Sequence, residues 1–101
     1  MIVGIGLDIV DIGRIQKAIE KTPLAERVFT PAERVFCERK NAGKYASYAA
    51  RFAGKEAFVK ALGTGFRAGR FQDISIENDV LGCPQVLLSG YYSDIIKTRN
   101  I

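Results

Sequence analysis

Two carboxylates and a set of cations are the residues of this 101-residue sequence best suited to chemistry. Asp8 ends the glycine-bearing segment Gly4-Ile5-Gly6-Leu7-Asp8, and Glu56 lies inside Arg51-Phe52-Ala53-Gly54-Lys55-Glu56-Ala57-Phe58-Val59-Lys60-Ala61-Leu62-Gly63-Thr64-Gly65. Hard divalent cations such as Mg²⁺ are held by one or two carboxylates, with water and substrate phosphates completing the shell. Asp8 and Glu56 brought together in a half-buried cleft would repel by about 4 kcal/mol at 4 Å and an effective dielectric of 20, which a cation or a proton would relieve. A plainer role for Glu56 is an i,i+4 pair with Lys60, worth a few tenths of a kcal/mol. Gly63-Thr64-Gly65 follows a helix C-terminus, where the dipole disfavours phosphate. Anion binding there would depend on backbone N–H groups freed by the glycines, together with Lys55, Lys60 and Arg67; an ordinary helix-stopping loop is the alternative.

Other chemistries lack their residues. The sequence contains no histidine, so Ser-His and Cys-His dyads are excluded. Cys37 and Cys83 stand far apart with no CxxC, which suits two unpaired thiols in a reducing cytosol better than a zinc or redox site. The third glycine of a GxGxxG fingerprint would fall on Ile9, and no GxxxxGK[ST] occurs.

The elements that must position these groups are legible from periodicity. Residues 2–9 alternate, with Val3, Ile5, Leu7 and Ile9 on one face and Gly4, Gly6 and Asp8 on the other, as in a strand. From Asp11 to Lys21 the period becomes helical: Ile12, Ile15 and Ile19 mark a core face, while Arg14, Lys17 and Lys21 form a basic one. Thr30-Pro31-Ala32-Glu33 predicts an N-cap, a proline at the first helical position and a capping box opening a helix to about Lys40. The longest helix is expected from Tyr45 to Leu62, its alanines at 46, 49, 50, 53, 57 and 61 suited to packing on a sheet, with Gly63 as left-handed stop. On it Phe52, Glu56, Val59 and Gly63 share a face, so Glu56 emerges from an apolar strip. Residues Asp73 to Glu77 and Gln85 to Ser89 predict a hairpin around a turn at 78–84, and Tyr91 to Arg99 a final helix. Strand, three helices, two strands and helix make an α+β fold with an antiparallel sheet on the long helix.

Composition bounds the rest. With 48% apolar and 26% charged residues the chain reads as one ordinary globular domain, with no membrane-spanning stretch, and its apolar first ten residues read as a strand rather than a signal peptide. Net charge is +4, which invites an anionic partner. A nucleic-acid binder is disfavoured because the charge is mild and no recognition motif occurs.

The two segments containing Asp8 and Glu56, with their spacing, together with Phe71-Gln72-Asp73-Ile74-Ser75-Ile76 and Gly82-Cys83-Pro84, resemble the holo-acyl-carrier-protein synthases. That resemblance runs over essentially the whole chain and implies a 4′-phosphopantetheinyl transferase-like fold, a single domain over 1–101, and a cytoplasmic homotrimer with active sites between subunits. It implies that Asp8 and Glu56 ligate Mg²⁺ at the pyrophosphate of coenzyme A. Lys60, helped by Lys55 and the 63–65 loop, would neutralise charge, and Glu56, directly or through a metal-bound water, would act as base. The nucleophile would be a serine of an acyl carrier protein, and Arg14, Lys17 and Lys21 would face that acidic partner. Members of the family normally continue into further strands carrying a histidine that helps hold coenzyme A, so a C-terminally short chain with weaker coenzyme A binding is expected. A binding module without turnover is the alternative from another class.

Overall fold

The computed structural model describes residues 12–63 and 69–99; the expected first strand, with Asp8, lies outside them, as do Thr64 and Gly65. Its elements run α1 (Ile12–Lys21), α2 (Leu24–Val28), α3 (Pro31–Glu38), a 3₁₀ turn at Asn41–Gly43, α4 (Lys44–Leu62), a second 3₁₀ turn at Phe71–Asp73, β1 (Ile74–Asn78), β2 (Pro84–Leu88) and α5 (Gly90–Arg99). This is the expected α+β arrangement, with the hairpin set against the long helix.

Each boundary has a local cause. At α3 the Thr30 hydroxyl accepts from the Glu33 N–H at 3.2 Å, and the Glu33 carboxylate accepts from the Thr30 N–H at 2.9 Å, which completes the capping box with Pro31 at the first position. Helix α3 ends at Glu38, with Arg39 as C-cap, rather than at Lys40. Gly63, at φ 73°, stops α4 in the left-handed conformation that only glycine adopts without penalty. In the hairpin β1 and β2 pair antiparallel from Ile74 opposite Leu88 to Asn78 opposite Pro84, one residue earlier on β2 than expected. The Asp79 carboxylate accepts from the Leu81 and Cys83 N–H groups, both at 2.9 Å, and so orders the turn.

Two apolar clusters flank α4. One joins Ile15, Val28, Phe29, Cys37, Tyr48 and Ala49, and the other Val59, Ile74 and Tyr92. Within them Phe29 and Tyr48 meet at 4.8 Å between centroids and Phe58 meets Tyr92 edge-on at 6.3 Å.

Three expectations are corrected. Helix α2 was not foreseen: it spans five residues after Pro23, too short to show a period, and Val28 and Phe29 at its end are buried. Ile12, the first residue of α1, is 46% exposed rather than core. On α4, Ala49 and Ala57 are buried but Ala46, Ala50 and Ala61 face outward. The close approach to the sheet is made at Gly54, where an added Cβ would stand 2.6 Å from Ile76 Cδ1.

Candidate active site

Glu56 and Lys60 lie one turn apart on α4, which puts their side chains on the same side of the helix. Glu56 is half-buried and Lys60 exposed, both engaged in interactions within the fold. Phe52, one turn before Glu56, stacks on Phe71 at 5.6 Å, and Val59 is 2% exposed. The carboxylate therefore rises from the border of an apolar strip, as the periodicity implied. Beyond Lys60, the Gly63 N–H donates to the Val59 and Lys60 carbonyls at 3.1 and 3.0 Å. The Arg99 guanidinium of α5 donates to Leu62 O at 2.9 Å, so the C-terminal turn of α4 is tied down from two sides. Asp8, Thr64 and Gly65 lie outside the described residues.

Lys55 has a different place from the one expected. Its ammonium is fully buried and donates to Glu33 Oε1 at 2.7 Å, Val28 O at 2.6 Å and Phe71 O at 3.0 Å. An ammonium has three donors, and all three are spent inside the protein. Burial holds its pKa below the ordinary lysine range, and the Glu33 carboxylate opposes that shift. Lys55 is thus a core cation rather than a phosphate ligand. Sequence reading missed this because Lys55 and Glu56 are neighbours in one basic-acidic run, while the helix turns them about 100° apart. The signal that could have located it was Glu33, whose capping role commits only part of one carboxylate.

The donor chemistry at Glu56 suits a hard cation, being carboxylate oxygen rather than thiol or imidazole. Among the described residues no group of three or more His, Cys, Asp or Glu gathers.

On α1, Arg14, Lys17 and Lys21 are all exposed, with Ile15 7% exposed on the opposite side. Helix α1 is fixed against α4 by Ile15 and Ile19 in the first core cluster, and the Tyr45 hydroxyl reaches Glu20 Oε2 at 3.5 Å. The basic face is carried on a packed helix. Cys37 is buried beside the Ser47 hydroxyl at 3.3 Å and Cys83 is exposed; both are free thiols. Among the described residues no helix is long and apolar enough to cross a membrane.

Residues 4–99 match the model of the ACPS family, the 4′-phosphopantetheinyl transferase superfamily. The chain is 45% identical to a holo-[acyl-carrier-protein] synthase of Solibacter usitatus, with all of this chain and 85% of that protein covered. It is 50% identical to the enzyme of that name from Geotalea daltonii, with all of this chain and 82% of that protein covered. Among solved structures, the holo-[acyl-carrier-protein] synthase of Neisseria meningitidis superposes with a TM-score of 0.80 at 35% identity, covering 93% of this chain and 77% of that one. The Helicobacter pylori synthase, solved with coenzyme A, superposes with a TM-score of 0.75 at 36% identity, covering 89% and 77%. A family match along nearly the whole chain, agreement of fold, and a carboxylate and a lysine one turn apart on a clamped helix lead to one conclusion: the chain belongs to the holo-acyl-carrier-protein synthases of the 4′-phosphopantetheinyl transferase superfamily.

Proposed function

We propose that this enzyme transfers 4′-phosphopantetheine from coenzyme A to a serine hydroxyl of an apo-acyl carrier protein, with Mg²⁺, and releases adenosine 3′,5′-bisphosphate. The observation that carries the reading is the Glu56–Lys60 pair on α4 within a chain matched end to end by holo-acyl-carrier-protein synthases. The serine oxygen attacks the phosphorus bearing the pantetheine arm, and the bond from that phosphorus to the bridging oxygen of the pyrophosphate breaks. Glu56 takes up the serine proton, directly or through a bound water, a task suited to a carboxylate half-withdrawn from water. Lys60, exposed one turn on, neutralises charge on the leaving phosphate. The loop from Gly63 through Thr64 and Gly65 holds the phosphates with backbone N–H groups beyond the one that Gly63 commits to closing α4. Asp8 and Glu56 hold Mg²⁺, which when bound supplies Lewis-acid neutralisation of the pyrophosphate.

The exposed row Arg14, Lys17 and Lys21 draws in the acidic carrier protein. We further propose a cytoplasmic homotrimer, in keeping with two free thiols. The test is release of adenosine 3′,5′-bisphosphate from coenzyme A, followed chromatographically. Release that needs apo-carrier protein and stops with EDTA supports the reading; carrier-independent release, or none from the folded protein, refutes it.

A further inference from the structure

Glu33 and Lys55 are both fully buried and joined at 2.7 Å. Removing two ions from water costs several kcal/mol each, and apolar residues of similar volume often hold a core as well or better. What such a pair can supply in return is a specified arrangement of the segments it joins.

The pair sits where five segments meet. Glu33 Oε1 also accepts from the Thr30 N–H at the start of α3, and its Oε2 accepts from the Ile76 N–H of β1 at 2.8 Å. Lys55 of α4 reaches the carbonyls of Val28, at the end of α2, and Phe71, in the 3₁₀ turn before β1. One turn earlier on α4, the Arg51 Nε–H donates to the Ile76 carbonyl at 3.2 Å. Both backbone groups of Ile76 are thus held by side chains of α3 and α4. Gly54, between the two cations, lets the Ile76 side chain against the helix backbone. Residues 51 and 54 bind one side of α4 to β1, Lys55 on the same side binds it to Glu33, Val28 and Phe71, and the next residue in the chain is Glu56.

A helix gripped on one side by directional bonds has one rotational setting, and each residue of slip would turn Glu56 by about 100°. We propose that the Glu33–Lys55 pair is a positioning device that fixes the rotation and height of α4, and so the aim of Glu56 and Lys60, without touching substrate. Catalytic groups displaced by about 1 Å can lose around 100-fold in rate, so a clamp one residue away bears directly on turnover. The proposal rests on the transferase reading for its effect on rate, but its geometric content is separate.

The test replaces both partners together, Glu33→Met with Lys55→Met, so that no unpaired ion is left in the core. Amide hydrogen exchange across residues 54–62 is measured alongside kcat and the KM for apo-carrier protein. The expected result is a folded variant whose α4 amides exchange at least tenfold faster. Its kcat should fall at least tenfold, with a carrier KM within twofold of wild type. A folded variant with wild-type exchange, or with wild-type kcat, overturns the proposal. Should that double variant fail to fold, Glu33→Gln with Lys55→Met, which keeps a carbonyl acceptor at position 33 and again leaves no unpaired ion, is read the same way. Faster exchange in a protein whose wild type performs no transfer would retain the clamp and refute the transferase reading, so the two failures are distinguishable.

Discussion

Gly69 should be intolerant of any side chain, and the reason is one aromatic ring. A Cβ built on Gly69 would stand 2.6 Å from Tyr92 Cζ and 2.9 Å from Cδ2, with Cε2 nearer still. These distances lie well inside the 3.5–4.0 Å at which carbon atoms rest. The ring has little room to yield: Tyr92 is fully buried, with Phe58 edge-on at 6.3 Å and Tyr91 edge-on at 5.2 Å. Gly69→Ala is therefore an overpacking substitution, expected to cost about 1–3 kcal/mol. For a domain of this size each kcal/mol lowers Tm by about 4–8 °C, so a fall of roughly 4–24 °C is expected. Thermal unfolding by circular dichroism measures it, and a cycle with Tyr92→Leu isolates the cause. The alanine should cost less once the ring is gone, with a coupling of at least about 0.5 kcal/mol. An unchanged Tm in Gly69→Ala, or strictly additive effects in the cycle, would refute the contact. The point bears on function because Gly69 lies on the segment joining α4 to the 3₁₀ turn whose Phe71 carbonyl receives Lys55.

Three further outcomes are expected. Glu56→Gln should lower kcat about 100-fold or more with Tm within a few degrees of wild type, measured by product release and melting; retained turnover would remove Glu56 as the base. Reversing charge at Arg14 and Lys21 should raise the KM for carrier protein roughly tenfold at low salt while sparing the KM for coenzyme A, and an unmoved carrier KM would end the steering role of α1. Stability should fall as pH rises above about 9. Burial raises the pKa of Cys37, Tyr48 and Tyr92, and for Tyr48 the hydrogen bond to Glu38 at 2.7 Å adds to it. The unfolded chain loses these protons first, so their contribution is present below the unfolded pKa and lost above it. Lys55, whose pKa burial lowers, works in the opposite sense as pH approaches that of free lysine. Tyr48→Phe should make the alkaline slope shallower by at most about 1.4 kcal/mol per pH unit in denaturant titrations; an unchanged slope would contradict the assignment.

The sequence showed much of the frame, because the frame depends on local rules. The capping box at Thr30 and Glu33, the glycine stop at 63 and the hairpin around Asp79 each need only residues within a few positions. The exposure of Arg14, Lys17 and Lys21 opposite Ile15 followed from one helical period. What periodicity could not show was partnership between distant segments. Lys55 reads as a phosphate ligand until Glu33, 22 positions earlier, is placed beside it. Gly54 carries no signal of its own until Ile76 is seen against it. Helix α2 is invisible because five residues carry no period, and its carbonyl at Val28 matters only once Lys55 arrives. The missed features are those in which two remote segments complete one another's hydrogen bonds.

The most direct test of the central claim is the mass of an apo-acyl carrier protein after incubation with this enzyme, coenzyme A and Mg²⁺. The account predicts a gain of about 340 Da, a phosphopantetheine ester on one serine, that is absent when EDTA is present. A competent carrier protein whose mass does not change, incubated with folded enzyme, would contradict it.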